Sequence, residues 1–147
     1  MVAMRRLAVG ALLLVAGCSS FDRDWEASPP GSTTSRPVGC WEGTWHSDVN
    51  GHQGTLRCII TPRDDSGFDA RYYATYMWWI FPFSFEYTVP LTVLPDGEVW
   101  TSRGSAELGC WIAGGLYEYE GRAVGNEYVA TYQSDFDRGV FRLKRVK

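Results

Sequence analysis

The polar side chains suited to acid–base or metal chemistry are few and scattered. His46, Asp48 and His52 surround one predicted turn, but their spacing matches no established metal-ligand pattern. Glu118 and Glu120 alternate with tyrosines on one predicted strand, an arrangement typical of its solvent-facing side. The sequence contains no phosphate loop, nucleophile elbow, Cys-x-x-Cys or His-Glu-x-x-His motif. We therefore expect no catalytic residues, no metal site and no cofactor, and we predict that the protein is not an enzyme.

The N-terminal segment combines a charged start, an apolar run and a cysteine. Arg5 and Arg6 precede the uncharged run Leu7–Gly17. That run is shorter than the roughly 20 residues of a bilayer span, but it fits the apolar part of a secretory signal. It ends in Val15-Ala16-Gly17-Cys18, which resembles the lipobox of bacterial lipoproteins. The resemblance implies cleavage before the cysteine, a diacylglycerol on the Cys18 thiol, and a fatty acid such as palmitate on the new α-amine. An ordinary cleaved signal peptide, or a short anchor with a chance cysteine, is the alternative.

The residues around this cysteine also predict a location. Two or more acyl chains anchor a protein stably, whereas one gives only marginal membrane binding. Ser19 stands where an aspartate would resemble the inner-membrane retention signal of lipoproteins. We therefore expect a cell-envelope protein attached to the outer membrane through an N-terminal lipid anchor. Because the net charge is −3, the sequence does not predict a nucleic-acid partner.

Three segments follow from these patterns. Residues 1–17 are the predicted signal peptide, and residues 18–38 are predicted to be the lipidated cysteine with a flexible linker. Pro, Ser, Thr and Gly dominate the linker and no apolar period appears in it, so we expect a tether spanning about 25 Å. Residues 39–147 form the one folded domain that this length allows.

The folded domain has the pattern of an all-β protein. From Gly39 onward, about eight short runs of β-branched and aromatic residues alternate with clusters of Gly, Asp, Asn and Pro. Connections this short force neighbouring strands to be antiparallel. Eight such strands favour an up-and-down barrel, because closure removes exposed sheet edges. An open β-sandwich is the alternative that strand parity does not exclude.

Two short motifs at the start of this domain point to a family. Gly39-Cys40-Trp41 and Gly43-Thr44-Trp45 each match the Gly-x-Trp that opens the first strand of lipocalins and related calycin barrels. In that family a basic residue late in the last strand packs over the tryptophan and closes the barrel base. Parity places Arg145 on the same face as Phe141 and Leu143, so we expect Arg145 to cover Trp41 in a cation–π contact. Trp41, Trp45 and Arg145 are therefore the predicted structural residues.

Aromatic side chains are expected at one end of the barrel and inside it. The loops at that end carry Trp78, Trp79, Phe81 and Trp111, and parity turns several tyrosines inward, among them Tyr72, Tyr76 and Tyr87. These seven residues form the predicted site for a small apolar or amphipathic, lipid-like ligand. The alternative is a barrel filled by its own side chains, acting as a structural or interaction module for an envelope protein.

Three cysteines remain beyond Cys18. In an up-and-down barrel Cys40 and Cys110 fall at opposite ends, and a disulfide needs Cα atoms within about 7 Å. We therefore predict that Cys40 and Cys110 do not pair. The pairing of Cys58 stays open.

Overall fold

The part of the chain that the structure describes forms a closed barrel of eight antiparallel strands preceded by one short helix. The computed structural model describes residues 19–29, 37–63, 65–109 and 114–147. In chain order the elements are α1 (Ser20–Ala27), β1 (Gly39–Ser47), β2 (Gln53–Pro62), β3 (Phe68–Trp78), β4 (Phe81–Asp96), β5 (Val99–Leu108), β6 (Gly115–Val124), β7 (Glu127–Gln133) and β8 (Arg138–Arg145). Each strand pairs with its sequence neighbours, and β8 returns to pair with β1.

This strand order confirms the predicted all-β, eight-stranded, up-and-down barrel. The pairing of Gly43 with Leu143 and of Trp45 with Phe141 closes the sheet on itself, which an open sandwich would not do. Two of the tight connections rely on glycine: Gly97 and Gly125 have φ values of 63° and 58°. Glycine adopts this left-handed conformation without steric cost, so these turns form where the sequence places Asp-Gly and Gly-Asn.

The barrel interior is filled by alternate residues of its strands. On β3, Ala70, Tyr72 and Ala74 point inward and are buried, as parity predicts. Small and large residues alternate along that strand, and the space beside each alanine accommodates a larger side chain from a neighbouring strand. The largest fully buried side chains of the interior are Trp41, Trp100, Tyr72, Tyr128, Leu56, Ile60, Leu91 and Val89.

β4 and β5 pair over only part of their length. β4 pairs with β3 from Leu91 to Phe81, and the pair at the hairpin end is Trp78 with Phe81. Its pairing with β5 begins only at Leu91, opposite Gly104. Residues 81–90 of β4 therefore present a free edge, and the β3–β4 hairpin extends away from the rest of the barrel wall.

The segment predicted to be a flexible tether contains the helix α1, so the linker prediction is wrong for Ser20–Ala27. Ser19 caps the helix, because its side chain accepts a hydrogen bond from the Asp22 backbone amide at 3.2 Å. Phe21 and Trp25 lie one turn apart on one face, and both are buried against Ile59 on the outer wall of the barrel. An eight-residue helix is unstable alone, and this packing supplies its stability. Within the described residues, no helix is long and apolar enough to cross a membrane.

Candidate functional site

The tyrosines predicted to line the interior form the inner end of a stack of rings. Tyr72 stacks on Tyr87 with ring centroids 5.3 Å apart, and Tyr119 lies 6.4 Å from Tyr72. Burial raises the pKa of Tyr72 and of Tyr87 well above the ordinary tyrosine value. Tyr72 is fully buried and Tyr87 is half-buried against it, so this part of the barrel is a packed core.

The stack continues from the core toward the mouth along the inner face of the β3–β4 hairpin. Phe85 stacks on Tyr87 at 5.8 Å, and Tyr76 stacks on Phe83 at 5.5 Å. Tyr76 also meets Phe85 edge-on at 6.4 Å, and Trp78 reaches Phe83 at 6.2 Å. We call this row the aromatic ladder; its members are Tyr72, Tyr87, Phe85, Tyr76, Phe83 and Trp78.

The outer rungs of the ladder face solvent. Phe83 and Phe85 are 41% and 42% exposed, although parity places both on the inward face of β4. The cause is the free edge of residues 81–90, because the wall that would cover these rings is absent where β5 does not pair with β4. The result is an apolar surface that starts in the core and opens at the mouth.

Two further side chains border the ladder at Tyr76. The Trp45 ring meets Tyr76 edge-on at 6.1 Å, and its indole N–H donates to the Thr75 carbonyl at 3.0 Å. The His52 ring stacks on Tyr76 at 6.1 Å. These contacts place a polar rim, with an imidazole and a phenol, beside the exposed phenylalanines.

The end of the hairpin carries a second exposed apolar group, which we call the hairpin tip. It comprises Met77, Trp78, Trp79, Ile80 and Phe81, all of them exposed. Trp79 is 86% exposed, the largest exposure among the large hydrophobic residues of the described chain. Its backbone has a φ of 59°, a left-handed conformation uncommon for a tryptophan.

The structure thus brings most predicted ligand-binding residues into two adjoining groups. Tyr72, Tyr76 and Tyr87 belong to the ladder, and Trp79 and Phe81 belong to the tip, while Trp78 is shared. Trp111 and the lipidation residue Cys18 lie outside the described residues. Phe83 and Phe85 share the Tyr87 face of β4 by strand parity, but they were not predicted as site residues, and neither was the ring contact of His52 with Tyr76.

The opposite end of the barrel is closed as the sequence predicted. The Arg145 guanidinium lies 4.4 Å from the Trp41 ring centroid, which confirms the expected cation–π contact. The Trp41 indole N–H donates to the Pro37 carbonyl at 2.9 Å, and Arg145 donates to the Val38 carbonyl at 2.7 Å. Burial lowers the pKa of Arg145 from its usual value. This end of the barrel is structural.

Of the polar residues considered for chemistry, His52 borders the ladder at Tyr76, and the others lie at the β1–β2 turn or on the outer wall. His46 and Asp48 approach to 3.3 Å at the β1–β2 turn. Glu118 and Glu120 are both exposed, and Glu120 pairs with Arg103 at 3.3 Å. Within residues 19–29, 37–63, 65–109 and 114–147, no three His, Cys, Asp or Glu side chains are placed to hold a metal ion.

The two described cysteines are unpaired and buried on opposite faces of the wall. Cys58 points into the barrel core, whereas Cys40 lies under α1 beside Ile59. Burial raises the pKa of the Cys58 thiol well above its usual value. The prediction about Cys40 and Cys110 stays untested, because Cys110 lies outside the described residues.

The strand order, the closure and the base contact define a closed, eight-stranded, up-and-down antiparallel β-barrel. No protein-family model matches the sequence, and no curated protein matches it. Among solved structures, a mutant of the fluorescent protein UnaG is similar to this chain with a TM-score of 0.38 and 13% sequence identity. The match covers 76% of this chain and 96% of that one.

Proposed function

We propose that this protein is a lipid-anchored, non-enzymatic component of the cell envelope that binds a small apolar or amphipathic molecule at its aromatic mouth. One observation carries the binding proposal: the aromatic ladder runs without a break from the buried Tyr72 to the exposed Trp78. Ring faces that are half-exposed along a free strand edge offer a preformed apolar surface for a ligand.

The free energy gained by covering this apolar surface is sufficient for weak or moderate ligand binding. A ligand that covers roughly 200 Å² of apolar surface gains about 5 kcal/mol at 25 cal/mol per Å², before the cost of association. Stacking on an aromatic ring adds about 0.5–1.5 kcal/mol. Because Phe83 and Phe85 are held by strand pairing, little ordering entropy is lost when the ligand binds.

An amphipathic ligand fits the surface better than a wholly apolar one. The apolar part would lie on Phe83 and Phe85, next to a core that is already filled. Its polar group would lie near the rim formed by the Tyr76 hydroxyl and the His52 imidazole, where hydrogen-bond donors and acceptors meet water. The ligand therefore occupies the mouth and not the barrel centre.

The anchoring proposal rests on the N-terminal sequence. Arg5, Arg6, the apolar run and Val15-Ala16-Gly17-Cys18 together match a lipoprotein signal, and Ser19 favours the outer membrane. Two or more acyl chains on Cys18 would hold the barrel stably at that membrane.

A second candidate is a structural or interaction module without a small ligand. The filled interior favours it, since Trp41, Trp100 and Tyr72 leave the barrel centre packed. Under this reading the exposed rungs of the ladder contact an envelope protein and not a ligand.

The binding proposal is tested with the fluorescent apolar probe N-phenyl-1-naphthylamine and the full-length protein purified in detergent. We expect saturable binding that weakens at least fivefold in Phe85→Ser. Val129→Ser is the matched control, because Val129 is 40% exposed and lies on the outer face of β7. Absence of saturable binding, or equal binding by Phe85→Ser and the wild type, would contradict the ligand proposal and favour the second candidate.

The anchoring proposal has a separate test. Mass spectrometry of the N-terminal peptide should show acyl chains on Cys18. The Cys18→Ala variant should carry no acyl chains and should move from the membrane fraction to the soluble fraction. An unmodified cysteine in membrane-extracted protein would refute the anchor and leave the probe experiment unaffected.

A further inference from the structure

The hairpin tip exposes five consecutive apolar side chains. We propose that the tip, Met77–Phe81, inserts into the interfacial region of a lipid bilayer. The protein would then touch the membrane at two points, the tip and the lipidated Cys18, and the second point rests on the proposed function above.

The tip and the strand segments next to it are free of charge. The twelve residues from Ala74 to Phe85 include no Asp, Glu, Lys, Arg or His. Charged groups are costly to move into the apolar part of a bilayer, and this segment has none to move. Without basic residues the tip gains nothing from anionic lipids, so we expect it to bind a neutral phosphatidylcholine surface and to be insensitive to salt.

The tip contains the side chains that favour the interface between water and lipid. Trp78 and Trp79 are adjacent, and tryptophan is enriched at the headgroup level of membranes. Met77, Ile80 and Phe81 surround them with purely apolar groups. Burial of several such side chains at roughly 25 cal/mol per Å² drives insertion.

The hairpin presents the tip at a suitable distance from the barrel. Pairing of β3 with β2 ends at Ala74, whereas pairing of β3 with β4 continues to Trp78 and Phe81. The four residues beyond Ala74 extend about 13 Å at roughly 3.3 Å per residue. An interfacial segment buries its apolar side about 5–10 Å deep, so the ribbon reaches this depth without immersing the barrel. Because the ribbon is hydrogen-bonded to its end, the tip is presented as a stiff unit.

The turn conformation and the exposure of Trp79 indicate that this side chain contributes little to the stability of the fold. Trp79 and Ile80 are the two residues between the last strand pair, and only the first of them has a positive φ. A turn of this kind favours glycine at its first central position. Here the position holds a tryptophan that is 86% exposed, so its side chain gains little from the folded protein.

The N-terminal lipidation motif of the proposed function favours a bilayer as the occupant of the tip. Arg57 pairs with Asp22 at 2.9 Å, and Arg71 donates to the Ser20 hydroxyl at 2.7 Å. The helix is therefore fixed to β2 and β3, and Cys18 directly precedes its cap, Ser19. Trp78 lies seven residues beyond Arg71 on β3, about 23 Å along the strand. A lipid on Cys18 would keep the barrel at the same membrane surface that the tip contacts.

The test uses full-length protein reconstituted in phosphatidylcholine vesicles whose lipids carry bromine at defined acyl positions. Bromine quenches nearby tryptophans, and Trp79→Phe identifies the share of fluorescence that Trp79 supplies. We expect that share to be quenched most by shallow bromines, equally at low and high salt. Ile80→Asp should abolish the quenching, whereas Leu94→Asp, an equally drastic change at an exposed residue near the opposite barrel end, should preserve it.

Three results separate this proposal from its competitors. Lipidated Cys18 with a Trp79 signal that bromolipids leave unquenched overturns tip insertion and leaves the anchor intact. Quenching in protein whose Cys18 is unmodified supports tip insertion and removes the anchor. A concentration-dependent dimer in sedimentation that Ile80→Asp dissociates, without bromolipid quenching, overturns the proposal in favour of a second copy as the occupant.

Discussion

Arg145 and Trp41 face each other across the seam that closes the barrel. They are register partners on β8 and β1, and the guanidinium carbon lies 4.4 Å from the indole centroid. The Trp41 ring in turn packs edge-on against Trp100 at 5.8 Å. Arg145 also donates to the Val38 carbonyl, so one side chain links the last strand, the first strand and the chain before it.

We expect Arg145→Ala to lower the free energy of unfolding by about 2 kcal/mol. The cation–π contact supplies about 0.5–2 kcal/mol, and the hydrogen bond to Val38 adds to it. Arg142→Ala is the control, because Arg142 is an exposed arginine on the same strand. Urea denaturation followed by near-ultraviolet circular dichroism measures both variants. Equal stability of the two would show that the base contact does not hold the barrel closed.

The barrel was predictable from the sequence because strand faces depend on local parity, and its base was predictable because the Gly-x-Trp motif resembles that of lipocalins. The order Ala70, Tyr72, Ala74 fixes which face of β3 is inward. The resemblance implied a basic residue over Trp41, and counting from Phe141 selected Arg145 for that role. The helix α1 was missed, although Ser19 and Asp22 have the spacing of a capping box. Phe21 and Trp25 occur in a polar, proline-containing segment, and their helix gains stability only from barrel residues distant in sequence.

The candidate site was predictable in its composition but not in its exposure. The aromatic residues of the β3–β4 hairpin appear in the sequence as one cluster, and parity orders their faces. That Phe83 and Phe85 remain open to solvent depends on where β5 stops pairing with β4. The Asp96-Gly97 turn fixes the register of these two strands, and Pro90, which has no backbone N–H, stands directly beyond the last pair. How far the pairing extends depends on the path of β5 around the closed barrel, which local patterns do not show.

A buried hydrogen bond supplies the second prediction. Ser102 and the Tyr128 hydroxyl are 2.8 Å apart, and both side chains are buried. Ser102→Ala leaves the phenol without this partner, so we expect the free energy of unfolding to fall by about 1–3 kcal/mol. Ser105→Ala, at an exposed position of the same strand, should change it by less than about 0.5 kcal/mol. A hydrogen-bond role would be excluded if the two variants unfolded at the same urea concentration.

The buried phenols predict a loss of stability at alkaline pH. Burial raises the pKa of Tyr128 to about 12 and raises those of four further tyrosines, Tyr72, Tyr87, Tyr119 and Tyr132. In the unfolded chain these groups lose their protons near pH 10. The unfolded state therefore binds fewer protons above pH 10, and stability falls as the pH rises toward 12.

Absorbance at 295 nm measures this directly. We expect these five tyrosines to ionise together with the loss of near-ultraviolet circular dichroism. Smooth ionisation of these five tyrosines near pH 10 with the fold intact would contradict the packed core.

The helix α1 should loosen at acidic pH. Hydrogen bonding from the Ser19 hydroxyl, and then from Arg57, holds the pKa of Asp22 below its ordinary value. Because the pKa of Asp22 is lower in the folded state than in the unfolded state, its ionised carboxylate stabilises the docked helix fully above about pH 4. This contribution is lost as the pH falls below about 4 and through the folded-state pKa. Asp22→Asn should reproduce the loosening at neutral pH. Amide exchange of residues 20–27 reports it, and Asp96→Asn, far from the helix in sequence, is the control whose exchange there should match the wild type.

The last prediction separates the role of Trp79 from that of a core tryptophan. Trp79→Gly removes an exposed ring and places glycine in a left-handed turn position, so relief of backbone strain and the added chain entropy nearly cancel. We expect the free energy of unfolding to change by less than about 0.5 kcal/mol. Trp100→Ala empties a fully packed position and should cost about 3–5 kcal/mol. If Trp79→Gly destabilised the protein as much as Trp100→Ala, the tip would be part of the folded core, and its exposed tryptophan would not be available to a membrane.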